Sequence, residues 1–154
     1  MTLQRLAPWI VLVLRLTIGG IFIAAGALKV GHADLFAAEI AGFRIGFLPQ
    51  AAIGPMAIAL PYLEMLVGAY LVLGLFTRIS GFAAAVLLGV FDLAIASAVV
   101  RGLTVSCGCF GPNDTTTTTW SEVARDAIFV ALALVIALRP PGALALDRRI
   151  GIHS

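Results

Sequence analysis

The chain has 154 residues, enough for one domain, and 61% of them are apolar whereas only 12% are charged. A soluble domain normally carries about a quarter charged residues, so this composition excludes a fully water-exposed surface and indicates an integral membrane protein. The net charge of +2, with mostly single basic residues and no aromatic stripe beside them, gives no support to nucleic-acid binding.

Four apolar stretches come close to the roughly 20 residues that a transmembrane helix needs. The segment Ala25-Gly26-Ala27 in the first stretch looks like a signal-peptide cleavage site, but Arg15 interrupts the apolar core that such a signal needs, so we expect a retained helix. The sequence therefore predicts an all-α fold, an integral membrane four-helix bundle that forms one domain over residues 1–154. The predicted spans are residues 6–28, 51–76, 79–100 and 120–138.

The basic residues near the ends of the spans predict the orientation of the protein. With four spans both termini lie on one side of the membrane, and that side carries five basic residues against four on the other. This small excess predicts cytoplasmic termini in the inner, cytoplasmic membrane of the cell. The loop with Cys107 and Cys109 then lies on the extracytoplasmic, oxidising side.

The connection between the first two spans, residues 31–50, is longer than a simple turn. We predict a short interfacial helix here, capped by Asp34, that covers the bundle from the outer side; an irregular loop is the alternative. Its periodicity separates a buried apolar face from a polar face. The buried face would hold Leu35, Phe36, Ile40 and Phe43 or Phe47, and the polar face Glu39 and Arg44.

Two local patterns predict how the helices begin and pack. Small residues cluster in the first span, where they allow another helix to approach closely inside lipid. Thr119 and Glu122 have the spacing of a capping box, which predicts the start of the last helix. The small residues are Gly19, Gly20, Ala24, Ala25 and Gly26.

The two cysteines of the chain stand together as Cys107-Gly108-Cys109 in the last loop. A pair separated by one residue closes a disulfide only if the chain bends sharply, and Gly108 supplies that freedom. Such a small ring is strained and exchanges readily, whereas its closure entropy is too small for a structural staple. The pattern therefore favours a redox-active pair.

Two other interpretations of the cysteines stay open. Free cysteines are often inert, small apolar residues. A zinc site needs four ligands, and the histidines available to complete one, His32 and His153, lie far apart in the sequence, so no metal is expected. A single loop histidine such as His32 is more typical of a solvated side chain than of a catalytic one.

Charged residues inside the spans form a second group of candidates, because an ionisable side chain in lipid is costly and is usually functional or paired. At about 1.5 Å rise per residue, Glu64 and Asp92 reach nearly the same depth as Arg125, so we expect Glu64 to pair with an arginine. The group is either an ion network that fixes the rotation of the helices or a polar pocket beneath the cysteine loop. Such a pocket would bind a quinone head group or relay protons, and the two interpretations are compatible.

These residues also carry a resemblance to a known family. The chain resembles the methylamine-utilisation protein MauE, within the broader DoxX-like group of membrane proteins, and the Cys-Gly-Cys-Phe-Gly segment is the most specific part of the likeness. The matching positions are Arg15, Gly20, Ala25-Gly26, Lys29, Leu48-Pro49, Pro61-x-x-Glu64, Cys107-Gly108-Cys109-Phe110-Gly111 and Arg125-Asp126.

The resemblance implies a four-helix membrane bundle that works with a thioredoxin-like extracytoplasmic partner. It also implies a part in making a periplasmic dehydrogenase subunit that is rich in disulfides. DoxX-like relatives are linked to quinone-coupled sulfur oxidation, which implies a quinone as cofactor. Ser106 departs from the acidic residue that relatives often carry there, and this change favours a more reactive thiolate. By this likeness Cys107 and Cys109 are the redox pair, and the polar group beneath them contains Arg15, Lys29, Glu64, Arg125 and Asp126, with Asp92 added by its depth.

The main functional prediction is an electron relay, which would make the protein a quinone-linked thiol-disulfide oxidoreductase. A thiolate of the partner attacks the Cys107–Cys109 disulfide, the second thiol resolves the mixed disulfide, and the electrons pass to the quinone. The chain has one thiol pair. That pair must therefore both react with the partner and reduce the quinone, or the protein depends on a partner for one of these steps. The alternatives are a non-enzymatic scaffold that docks the thioredoxin-like protein, and a small-molecule or lipid permease, for which four short spans offer little room.

Overall fold

The computed structural model describes residues 3–46, 48–103, 105, 117–139 and 142–147, with side chains described from residue 6 onward. The described residues form five α-helices, so the predicted all-helical fold is confirmed. In chain order the helices are α1 (Leu3–Lys29), α2 (Ala33–Gly42), α3 (Gln50–Leu73), α4 (Thr77–Val100) and α5 (Trp120–Leu138).

Three of these helices are long and apolar enough to cross a membrane, namely Leu6–Lys29, Gln50–Leu73 and Thr77–Val100. Helix α5 has 19 residues and carries Glu122, Arg125 and Asp126 in its first two turns. Because of these charges, α5 is not among the helices that are apolar enough to cross a membrane by composition. The fourth span of the bundle therefore stays a prediction.

The turn between α3 and α4 lies at Gly74–Phe76, a little earlier than the predicted end of the second span at residue 76. Gly74 ends α3 in the left-handed conformation, with φ of 68°, which glycine adopts without a steric penalty. Phe76 also has positive φ, 47°, and precedes the first residue of α4. These two residues reverse the chain so that α3 and α4 run in opposite directions.

Helix α2 confirms the short helix that the sequence predicts between the first two spans. It follows His32 rather than Asp34, and Asp34 lies in its first turn, where a negative charge complements the amide dipoles. Phe36 and Ile40 are buried against Ile53 and Ala57 of α3. The segment therefore covers the bundle at the end where α1 finishes and α3 begins.

Two details of the predicted α2 face are wrong. Leu35 is 52% exposed rather than buried, because it lies about 100° around the helix from Phe36 and the buried stripe is narrow. Glu39 is half-buried rather than turned away from the protein. Phe43 is buried as predicted, and Phe47 lies outside the described residues.

The long helices pack in pairs, α1 along α3 and α4 along α5, with less extensive contacts between α3 and α4 and between α1 and α5. A common core joins all four of them. Large apolar side chains such as Trp9, Tyr62 and Leu93 are exposed on the outside, as expected for surfaces that face hydrocarbon. The central core contains Ile18, Phe22, Val67, Leu71, Ala84, Ala85, Ala133 and Ile136.

Glycines set the close approach of α1 and α3. A β-carbon on Gly26 would lie 2.5 Å from the carbonyl oxygen of Pro61, and one on Gly19 would lie 2.8 Å from that of Gly68. The numbers rise along α1 as they fall along α3, so the two helices are antiparallel. The predicted role of the small residues is confirmed for these positions, whereas Gly20 faces open space.

We expect Gly26→Ala to lower the free energy of unfolding by about 1–3 kcal/mol, because the added methyl group forces the α1 and α3 backbones apart. Gly20→Ala is the matched control in the same helix. It should leave stability unchanged or raise it by up to about 1 kcal/mol, since alanine is the better helix former. Thermal unfolding in detergent micelles measures both, and equal effects of the two substitutions would contradict this packing.

Candidate functional site

Arg15, the first predicted site residue, does not join the other charged residues. Its side chain is fully buried, and its Nε donates a hydrogen bond of 2.9 Å to the carbonyl oxygen of Leu71. Its Nη2 donates to the carbonyl oxygen of Val72 at 3.3 Å. These carbonyls belong to the last turn of α3, where intrahelical donors run out. Arg15 therefore holds the end of α3.

Asp147 completes this arrangement and is a residue whose role sequence reasoning missed. Its carboxylate accepts hydrogen bonds from the backbone N–H of Phe76 at 2.7 Å and of Thr77 at 2.8 Å, which caps the start of α4. The same carboxylate attracts the Arg15 guanidinium. The cap comes from 70 residues away along the chain, so no local pattern could indicate it. We call Arg15 and Asp147 the structural clasp.

The buried ion pair lies toward the other end of α1. Lys29 Nζ lies 3.0 Å and 3.1 Å from the two carboxylate oxygens of Glu64, and both residues are about 5% exposed or less. The expectation that Glu64 pairs with an arginine is wrong. Side chains lean toward the N-terminus of their own helix, so in antiparallel α1 and α3 the side chains of Lys29 and Glu64 reach toward each other.

Two aromatic rings enclose the ammonium group of Lys29. Its Nζ lies 4.9 Å from the ring centroid of Phe36 in α2 and 5.3 Å from that of Phe91 in α4. Both distances allow a cation–π attraction, which is strongest where water is excluded. The ammonium group thus contacts side chains from α2, α3 and α4 at once.

A second charged cluster lies at the start of α5. Arg125 forms ion pairs with Glu122 and with Asp126, whose Oδ1 lies 3.2 Å from Arg125 Nε. The helix begins after Thr119 as predicted, but the predicted capping box is wrong, because the Thr119 hydroxyl hydrogen-bonds the Ser121 hydroxyl at 2.7 Å. Glu122 instead points inward and pairs with Arg125. The sequence did not predict this ion pair, because the spacing of Thr119 and Glu122 is that of a cap.

A cavity of about 70 Å³ joins the two clusters, and we call it the charged cavity. It has room for several water molecules or a small polar group. Four of the predicted site residues are in its wall, together with apolar and aromatic side chains. These four residues are Lys29, Glu64, Arg125 and Asp126.

Asp92 lies beside the charged cavity rather than in its wall. Its carboxylate is close enough to that of Asp126 for the two to repel each other. One oxygen of Asp92 is buried and has no hydrogen-bond partner in the part of the chain that the structure describes.

Cys107 and Cys109 lie outside the described residues, so the redox pair stays a prediction. The two described ends of their loop meet each other: the Thr118 N–H donates to the Val105 carbonyl at 3.0 Å, and the Thr118 hydroxyl donates to the Leu103 carbonyl at 3.0 Å. This junction lies directly before α5, the helix that contributes Arg125 and Asp126 to the wall of the charged cavity. No group of three or more possible metal ligands occurs among the described residues, and His32 is exposed.

Three helices suited to crossing a membrane and a buried, ion-paired cavity between them define a multi-pass helical membrane protein with a polar site inside its apolar core. Within this class, the chain belongs to the MauE family, because the family model described as "Methylamine utilisation protein MauE" matches residues 7–139. No solved structure matches the chain significantly.

Three similar relatives all carry the name "Methylamine utilization protein MauE". The protein from Paracoccus denitrificans is 36% identical over 138 residues, which cover 89% of this chain and 73% of the relative. The protein from Paracoccus versutus is 37% identical over 137 residues, covering 88% and 73%. The protein from Methylorubrum extorquens is 32% identical over 130 residues, covering 82% and 69%.

The buried ion pair makes a sharp prediction about stability. Glu64→Gln should lower the free energy of unfolding by about 3–5 kcal/mol, because it leaves the Lys29 ammonium buried without its counter-charge. The double variant Lys29→Met/Glu64→Leu should recover most of that loss, since it removes both charges. Detergent-based unfolding titrations measure the change.

Asp34→Asn, which removes an exposed charge on α2, serves as the control and should change stability by less than about 0.5 kcal/mol. The ion pair would have no structural role if Glu64→Gln were as stable as the wild type. A double variant less stable than either single variant would also count against it.

Proposed function

We propose that this protein is a membrane thiol-disulfide redox protein that exchanges electrons between an extracytoplasmic thioredoxin-like partner and the Cys107–Cys109 pair, with a membrane quinone bound at the charged cavity. The observation that carries the proposal is the meeting of the two described ends of the cysteine loop directly before α5. Its two ends join at Val105 and Thr118, and α5 follows directly, with Arg125 in its second turn. At about 1.5 Å per residue, Arg125 lies roughly 10 Å along α5 from this junction.

In this proposal α5 is the fourth span. Its 19 residues cover roughly 28 Å, close to the thickness of the hydrocarbon core. Its acidic residues, Glu122 and Asp126, are buried in the protein, while Ile128 and Leu138 are exposed. The charges that disqualify α5 by composition thus face inward, away from lipid. Four spans would put both termini on one side, and the excess of basic residues there favours the cytoplasmic side of the inner membrane, with the cysteine loop outside.

The thiol step balances in atoms and electrons. A thiolate of the partner attacks one sulfur of the Cys107–Cys109 disulfide, forming a mixed disulfide and releasing the other cysteine as a thiolate. The second thiol of the partner, once deprotonated, attacks the mixed disulfide. The partner leaves as a disulfide, and the chain keeps two thiols, which carry the two electrons and two protons that the partner lost.

The residues of the charged cavity suit a quinone head group. The ammonium group of Lys29 and the guanidinium of Arg125 can donate hydrogen bonds to carbonyl oxygens, and Phe91 supplies an aromatic wall. A bound quinone would accept two electrons and two protons from the dithiol. One buried oxygen of Asp92 has no hydrogen-bond partner in the described part of the chain, so we include this carboxylate among the groups that would take part in proton transfer.

The names of the relatives support a role for this chain in methylamine utilisation. Its client would be a periplasmic dehydrogenase subunit rich in disulfides, reached through the thioredoxin-like partner. The Arg15–Asp147 clasp lies outside this mechanism, because Arg15 binds the carbonyls of α3. We therefore assign Arg15 to the structure and the charged cavity to the redox function.

Trapping a mixed disulfide tests the thiol step. One of the single variants Cys107→Ser and Cys109→Ser should hold a thioredoxin-like protein in a covalent complex, because its remaining thiolate attacks the disulfide of the oxidised partner, the reverse of the step above, and lacks the second thiol that would release the partner. The complex should run as one band without reductant and separate with it. The double variant is the matched control and should trap nothing. Non-reducing electrophoresis with mass spectrometry of the band identifies the partner.

Growth on methylamine separates the relay from its alternatives. A relay fails in both single variants and in the double variant. Normal growth with the double variant would overturn the relay and leave the scaffold and the permease. A permease would ignore the cysteines, while its transport would depend on Glu64.

A further inference from the structure

A second cavity, of about 130 Å³, lies beneath α2 and between α3 and α4. Its wall is apolar apart from Glu39, with side chains such as Ile40, Met56 and Ala94. We call it the apolar cavity. Of the residues named for the proposed function only Phe91 lines it, yet it is larger than the charged cavity.

The two cavities share part of their walls. Leu87 and Phe91 of α4 line both of them, so these side chains stand between the apolar cavity and the charged one. The Phe91 ring also contacts the Lys29 ammonium group on the charged side. A ligand that moves past these two residues would have one end in an apolar environment and the other beside cations.

The apolar cavity also reaches the outer surface of α4. Val90 lines the cavity and is 62% exposed, and it lies one turn from other exposed apolar residues of α4, Val86 and Leu93. In a membrane this surface faces lipid. A path therefore runs from the bilayer, past Val90 and under α2, to Phe91 and the charged cavity.

We infer that the apolar cavity holds the hydrocarbon tail of the quinone whose head group occupies the charged cavity, and that the molecule enters sideways from the bilayer beneath α2. This inference rests on the proposed function and adds to it the class of substrate: a long-tailed, membrane-dissolved quinone rather than a water-soluble one.

The charges of the two cavities favour this orientation over the reverse. Among the described residues, the wall of the apolar cavity has no cationic side chain that could donate to the carbonyl oxygens of a head group. The charged cavity offers Lys29 and Arg125. In the bilayer the tail already lies in an apolar solvent, so its binding in the cavity depends on close packing against the wall rather than on removal from water.

Photolabelling of the full chain in lipid nanodiscs tests the inference. The probe is a quinone with a ten-carbon tail that ends in a diazirine, and a phosphatidylethanolamine carrying the same diazirine is the comparison. We expect the quinone probe to label residues of the apolar cavity, such as Ile40 and Met56, and excess unlabelled long-tailed quinone to suppress this labelling.

Two variants fill the cavity and one matched control does not. Ala94→Phe narrows the cavity from inside, and Val90→Phe narrows its mouth without changing the core. Each should weaken binding of the ten-carbon quinone at least tenfold while leaving binding of a tail-less quinone unchanged. Leu93→Phe, at an exposed position of α4 outside both cavities, should change neither affinity.

The possible results separate the inference from the proposed function. The tail site would be overturned if Ala94→Phe and Val90→Phe weakened the binding of the ten-carbon quinone and of the tail-less quinone equally. Labelling that spread over the lipid-facing surface would also overturn it. Labelling of the cavity by the phospholipid probe alone would also overturn it. If no quinone bound the wild type, whatever its tail, the quinone part of the proposed function would fail and the tail site with it.

Discussion

The ion pair between Lys29 and Glu64 is the contact on which the rest of the site depends. Water does not solvate a charge in the hydrocarbon core of a membrane, so a charged side chain there is stabilised by pairing with an opposite charge within the protein. The pair links the end of α1 to the middle of α3, and the rings of Phe36 and Phe91 around the ammonium group add α2 and α4. One buried cation thereby fixes the wall of the charged cavity.

The two ends of the protein use similar residues for different purposes. At the clasp, Arg15 and Asp147 bind backbone groups at the ends of α3 and α4, and neither residue lines a cavity, although Nη1 of Arg15 has no hydrogen-bond partner among the described residues. At the other end, Lys29 and Asp126 face a cavity. A buried charge that faces free space can bind a ligand, whereas one spent on carbonyl and amide groups cannot. This difference is the physical basis for assigning function to one end only.

The sequence predicts the helices well, because long apolar runs and a glycine turn leave few other conformations in lipid. It fails where an outcome depends on rotation about a helix or on distant contacts. The depth of the residues along the helices predicted that Glu64 lies near Arg125. The partner of Glu64 is Lys29 instead, because the side chain of Lys29 points along α1 toward it. Glu122 has the spacing of a cap yet pairs with Arg125, and Asp147 acts across 70 residues. The cysteine pair remains a prediction from its motif and from the family.

The central claim, that the dithiol and the charged cavity form one redox unit, is tested most directly by counting thiols. The reduced, purified protein would be mixed without oxygen with a quinone whose ring is fully substituted, so that thiols cannot add to it, and then alkylated and weighed. The account predicts that Cys107 and Cys109 both become inaccessible to alkylation as one quinol forms per chain. Two fully alkylated thiols in the presence of excess quinone would contradict it.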